Sequence, residues 1–162
     1  MTFTPWRSLG SKTGFTERSL AETLDGGQSF RWNRTAAGTM RGVWARNCVE
    51  LRLHAGRLEW RSPVQAPVSK DKLEHYLGLD GSYDEACDAL PWRSDPVLAA
   101  AMQRFSGLRL LRQPLGETLF GFLLSAVKSI PQIKEGCERA ADTFGEEIVP
   151  GVRAMPDWEG LV

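Results

Sequence analysis

Histidine and cysteine are scarce in this chain. Two histidines, His54 and His75, and three cysteines, Cys48, Cys87 and Cys137, are scattered through 162 residues. No Cys-x-x-Cys pair and no Cys/His spacing suits a metal, so zinc-ribbon and thioredoxin-like readings fall away. Three reduced thiols are the expectation that remains. Neither histidine stands in a recognisable pattern with a serine or cysteine nucleophile, and no phosphate-cradling glycine loop is present. Gly26-Gly27 is not a dinucleotide fingerprint, because no helix is read after it. The N-terminus lacks a charged stub with an apolar run behind it, which gives no signal peptide. The longest apolar-rich run, residues 115–127, is broken by Glu117 and Thr118 and is too short to cross a bilayer. Net charge is missing too: 20 Lys and Arg balance 20 Asp and Glu. The balance is uneven, +4 over residues 1–60 and −4 over the remainder. A bias of that size does not by itself point to a polyanionic partner.

What is present reads as an ordinary globular protein, long enough for one sizeable core or two small ones. Residues 1–17 are polar and turn-rich, with Trp6 and Phe15 as anchors. Residues 19–24 suit one short helical turn, which runs into the break at Asp25-Gly26-Gly27-Gln28. The pattern then changes to period two. Phe30 and Trp32 alternate with Arg31 and Asn33; Val49, Leu51 and Leu53 alternate with Glu50, Arg52 and His54; Leu58 and Trp60 alternate again. Turn signals at residues 37–38, 45–47 and 55–56 divide residues 30–60 into an antiparallel meander of about four strands. One face is apolar and rich in tryptophan. The other carries Arg31, Arg41, Arg52 and Arg57, which reads as a solvated sheet face.

Helices come next. Residues 69–79 are amphipathic. Ser82 to Glu85 forms a capping box opening a helix through Leu90. Asp95-Pro96 is an N-cap with proline at N1 before a helix over 97–105. Residues 115–127 are apolar nearly all round, which predicts a buried central helix stopping near Ser129 or Ile130, ahead of Pro131. A further helix spans 131–144 and ends at Gly145. The polar turn of Val127, Lys128, Ser129 and Gln132 between these two is the first candidate contact surface. Lys128 also has a structural explanation, since a cation is favoured at a helix C-terminus. Residues 155–159 resemble a helix start just before Val162. This suggests the N-terminal part of a longer protein.

Two blocks carry a family resemblance. Leu20-x-x-Thr23-Leu24-x-x-Gly27-Gln28-Ser29-Phe30-Arg31-Trp32 resembles the opening of the 8-oxoguanine DNA glycosylase/AP lyase family. Gly107-Leu108-Arg109-Leu110-Leu111-Arg112-Gln113, followed by Phe120, Phe122, Ser125 and Ile133, is similar to its next block. The resemblance runs from about Leu20 to Trp158. It implies an α+β fold: an N-terminal antiparallel sheet domain with flanking helices over 1–92, then the first helices of a helix-hairpin-helix domain over 93–162. It implies base-excision repair, with removal of an oxidised purine from duplex DNA by base flipping. No cofactor, metal or membrane is implied. A monomer in the full-length protein and a cytoplasmic (nucleoid-associated) or nuclear location are. The family's catalytic lysine and aspartate match no residue here, so this chain alone is expected to be inactive.

One recognition role carries over. Gly27 matches the glycine whose backbone carbonyl reads the damaged base. Oxidation at C8 places a hydrogen on N7, so a carbonyl there gains a bond with 8-oxoguanine and faces a lone pair in guanine. Val127, Lys128, Ser129 and Gln132 match DNA-facing positions but depart from the family's residues. Valine stands where asparagine fills the flipped base's gap, and Gln132 where arginine holds the orphaned cytosine. Other readings are another purine lesion, a non-catalytic DNA-binding module, or a protein-interaction domain.

Overall fold

The computed structural model describes residues 1–10 and 13–157. Four strands form where alternation and the turn signals between them place them: β2 (Trp32–Arg34), β3 (Met40–Trp44), β4 (Asn47–His54) and β5 (Arg57–Arg61). A fifth, β1 (Arg7–Ser8), adds to the far edge, giving an antiparallel sheet in the order β1-β5-β4-β3-β2. Period two did not reveal β1, because two residues are too few to alternate. The Arg7 guanidinium lies 4.0 Å over its strand partner's ring, Trp60. The β3–β4 and β4–β5 turns are tight enough to hold Ala45 and Ala55 at φ 46° and 49°.

The inner sheet face supplies the core. Trp32, Trp44, Val49, Leu51, Leu58 and Trp60 pack with Leu20 and Leu24 of α1 (Glu17–Asp25) and Leu73 and Tyr76 of α2 (Lys70–Tyr76). α1 is a full helix rather than one turn, because Thr16 and Ser19 cap it reciprocally. Trp32, Trp44 and Tyr76 stack with centroids 4.1–6.3 Å apart, and Trp32 Nε1 donates to Tyr76 Oη at 2.9 Å. Buried aromatics with polar tips need such a partner.

The outer face differs from a solvated arginine face. Glu50, 2% exposed, accepts from Arg41 on one side and Arg61 on the other, and Arg52 pairs with Glu59. Phe3 and Trp6 of the N-terminal segment lie 4.2–5.4 Å from the guanidinium groups of Arg41, Arg52 and Arg61. A buried carboxylate is stable there because two cations flank it. Only Arg57 of the four arginines is exposed.

α3 (Tyr83–Asp88) and α4 (Pro96–Arg104) start at their expected caps, Ser82 and Asp95. α5 (Leu115–Ser125) and α6 (Ile130–Phe144) flank the polar turn. A hairpin of β6 (Glu147–Val149) and β7 (Val152–Arg153) comes after α6, which alternation in so short a stretch does not announce. α5 is not buried. Leu115 is 81% exposed and Phe122 70%, and Gly121 alone is buried in the helix. An apolar pattern shows that a helix favours burial but does not supply the covering surface. α5 also stops at Ser125, because Val127 and Lys128 N–H both turn back to the Leu124 carbonyl. Residues 155–157 are not helical, and the rest of the helix expected there lies outside the described residues. Among the described residues, no helix is long and apolar enough to cross a membrane.

Close packing of the sheet gives a first test. A Cβ on Gly42 would fall 2.2 Å from the Trp32 ring. Gly42→Ala is expected to cost about 1–3 kcal/mol in urea unfolding by forcing Trp32 off its rotamer. An unchanged midpoint would contradict this packing.

Candidate nucleic-acid interface

The loop after α1 is built by its neighbours. Gly27 takes φ 108°, a conformation L side chains rarely adopt. Gln28 pins the loop from its C-terminal side: its amide donates to the Arg109 carbonyl at 2.9 Å and accepts from Leu111 N–H at 2.9 Å. The Gln28 carbonyl in turn accepts from the side-chain amide of Gln113. On the other side, Lys134 of α6 pairs with Asp25 at 2.6 Å. No described residue donates to the Gly27 carbonyl.

The remainder of the glycine-to-tryptophan motif fastens the sheet to the helices. Phe30 lies against Gly121, where an added Cβ would meet its ring at 2.6 Å. Arg31 is 6% exposed, and its fork grips Glu138 of α6 and the Arg153 carbonyl. Trp32 is the core residue bonded to Tyr76. The second motif is a strap across the same region. Gly107 passes so close to Gly14 that a Cβ would sit 2.1 Å from its carbonyl oxygen. Arg109 donates to the Gly78 carbonyl, and Arg112 pairs with Asp80. These arginines serve the fold rather than the polar turn.

The structure brings Gly27 to the turn between α5 and α6. The atom nearest to a Cβ built on Gly27 is Ile130 Cδ1, at 3.4 Å. Val127 is 79% exposed, and Lys128, Ser129 and Gln132 are exposed as well. Val127 and Lys128 are held through their backbone. Ser129 and Gln132 also cap α6: Gln132 Oε1 accepts from Ser129 N–H at 3.0 Å and from its hydroxyl at 3.1 Å. The Gln132 NH₂ group makes no hydrogen bond among the described residues. The Lys128 ammonium has no partner among the described residues.

Glu117 is the supporting residue that sequence patterning undervalued. It interrupts the apolar run of α5 and accepts from Ala45 N–H in the β3–β4 turn at 2.6 Å. Burial raises its pKa against the opposing pull of that bond and of Arg31. Its only signal was a lone acid in an apolar helix. Burial also pushes the Cys48 and Cys137 thiols up to about 11, so both are protonated at neutral pH. All three cysteines are free. Among the described residues, no group of three His, Cys, Asp or Glu side chains could hold a metal.

A sequence model described as 8-oxoguanine DNA glycosylase, N-terminal domain, matches residues 13–119. The chain belongs to that family. It is 32% identical over 126 residues to the N-glycosylase/DNA lyase OGG1 of Arabidopsis thaliana, an alignment covering 75% of this chain and 34% of that protein. The family fold recurs in MBOgg1 solved with a low-affinity DNA ligand, with TM-score 0.77 and 28% identity over all of this chain and 57% of that one. The Clostridium acetobutylicum 8-oxoguanine glycosylase/lyase, solved with DNA containing cytosine opposite 8-oxoG, matches at TM-score 0.75 and 25% identity, over 88% and 49%. This family member thus spans about a third of the curated relative's length. Its α+β architecture is the one expected from the sequence.

The raised pKa of Glu117 sets a pH test. A folded pKa above the unfolded value means its contribution to stability is full below the ordinary value of 4.5 and is lost as pH rises through the folded value. Glu117→Gln removes that titration while keeping an acceptor for Ala45. The melting temperature of the variant relative to the parent is expected to rise between pH 4.5 and 7.5. Parallel curves would refute the assignment.

Proposed function

We propose that this chain is the lesion-reading part of a DNA N-glycosylase/AP lyase that removes an oxidised purine, 8-oxoguanine, from duplex DNA by base flipping. The observation that carries the reading is the juxtaposition of Gly27, with its unengaged carbonyl, and the exposed turn of Val127, Lys128, Ser129 and Gln132. In this reading the Gly27 carbonyl accepts the N7 hydrogen of a flipped 8-oxoguanine. Guanine presents a lone pair there instead, and an unpaired buried acceptor costs ~1–3 kcal/mol. The pinned loop supplies pre-organisation, since Gln28 and Asp25 hold it from both sides. Lys128 and the Gln132 amide face the sugar-phosphate backbone and base edges. Val127 fills space without hydrogen bonding. No residue of this chain is assigned the catalytic amine. The division into a sheet domain over 1–92 and helical residues over 93–162, the monomeric state and the nuclear or nucleoid location belong to the same proposal.

Anisotropy titration of duplexes tests it. The chain is expected to prefer 8-oxoguanine over guanine by about 5- to 150-fold, the equivalent of that hydrogen bond. Gly27→Ala should erase most of the preference while leaving salt-dependent binding to plain duplex. Equal affinity for both duplexes would sink the reading and leave a duplex-binding module.

A second expectation concerns the base opposite. Gln132 carries no charge, and its oxygen is engaged by Ser129. Binding to 8-oxoguanine opposite cytosine or adenine should differ little, and Gln132→Arg should tilt it toward cytosine. A strong cytosine preference in the parent chain would show that another residue reads that base. The exposed apolar residues of α5 favour a protein-interaction domain as the rival. It predicts concentration-dependent self-association in sedimentation and no affinity for DNA.

A further inference from the structure

A second concave site lies on the outer face of the sheet. A cavity of about 450 Å³ opens between the β2–β3 hairpin on one side and α6 with the β6–β7 turn on the other. Its lining includes Asn33, Arg34, Arg41 and Arg153, with Asp142 among the α6 residues. This volume suits a small organic ligand.

The donors around it are only partly used. Arg31, also in the lining, has its fork closed on Glu138 and the Arg153 carbonyl. Arg41 bonds Glu50 through Nε and NH2, leaving its other amino group. Arg34 makes one bond, to the Gly38 carbonyl, and Arg153 one, to the Gly145 carbonyl. The Asn33 side chain and the Asp142 carboxylate have no partner among the described residues. The cavity therefore presents unused guanidinium donors together with one unused carboxylate.

That combination selects a ligand class. Guanidinium forks pair with phosphate oxygens through charge-assisted bonds. A free carboxylate nearby disfavours a second anionic group, which argues against an acidic peptide or a run of phosphodiesters. It accepts instead from a hydroxyl or amino group. We propose that this cavity binds a phosphate monoester that carries neutral hydrogen-bond donors. A sugar phosphate and a nucleoside monophosphate share this chemistry. The phosphate sits among Arg34, Arg41 and Arg153, and hydroxyl or amino groups face Asp142. The site is separate from the turn of residues 127–132 and uses none of its side chains.

Calorimetric titration of the chain with ribose 5-phosphate, adenosine 5′-monophosphate and inorganic phosphate tests the proposal. Saturable binding of at least one ester, tighter than inorganic phosphate, is the expected result. Binding of ribose 5-phosphate as tight as the nucleotide assigns the site to sugar phosphates, and a clear nucleotide preference assigns it to nucleotides. Arg34→Gln, at an exposed position, should weaken the ester about tenfold or more. Asp142→Asn should narrow the gap between ester and inorganic phosphate. Lys128→Ala should change neither. No saturable binding of either ester, binding unaffected by Arg34→Gln, or binding abolished by Lys128→Ala would each overturn the proposal.

Discussion

Arg31 is the side chain on which the seating of α6 and the β6–β7 hairpin against the sheet depends. It lies just before β2, its carbonyl accepting from Val43 N–H, and, nearly out of solvent, it reaches α6 and the β6–β7 hairpin with one planar fork. A buried guanidinium is tolerated only where carboxylate and carbonyl oxygens close around it, and removal of one partner leaves a buried charge. Glu138 and the Arg153 carbonyl are therefore constraints on where α6 and β7 can lie. Phe30, one residue earlier, presses on Gly121 and sets how closely α5 approaches the sheet. Trp32, one residue later, anchors the inner core through Tyr76. Three successive residues, two leading into β2 and one opening it, thus address α5, the outer layer and the core.

The loop before them gains its shape from the same fastening. Gln28 uses both ends of its amide on the strap of residues 109–111, and the strap's Gln113 returns a bond to the Gln28 carbonyl. Gly27 is held in a conformation few residues reach, beside the first turn of α6. Reading a single hydrogen in a base requires a carbonyl whose position does not relax, and this lattice of contacts supplies it for the proposed role. The turn opposite is less constrained through its side chains. Only Ser129 and Gln132 are engaged, and with each other.

Much of this was legible in the sequence, for identifiable reasons. Strands β4 and β5 follow from period two, and β3 from the turn residues on either side of it. The starts of α3 and α4 follow from Ser82 and Asp95, whose side chains bond backbone groups two or three residues away. Local chemistry announces local structure. What escaped depends on distant partners. The two residues of β1 have no pattern of their own and rest on Arg7 against Trp60. Glu50 looked like one of the polar residues on an open sheet face, yet it is enclosed by Arg41 and Arg61 from neighbouring strands. The burial expected for α5 failed because a hydrophobic pattern names a preference and not a neighbour. Of the candidate interface, the polar turn was marked by its place between two helices and Gly27 by resemblance, whereas their approach through Ile130 depends on the packing of α6.

The bond between Glu117 and Ala45 has a consequence for the order of folding. It joins residues 72 apart in sequence, and the Gln28 and Arg31 contacts join residues 81 to 122 apart. The hairpins β3–β4 and β4–β5 close loops of only a few residues. Loop-closure entropy therefore favours the meander forming first, with the β3–β4 turn at Ala45 still lacking its acceptor. The turn gains its last hydrogen bond only when α5 arrives. Docking of α5 and α6 is thus expected to follow the meander, and the two segments proposed to read DNA come together only then.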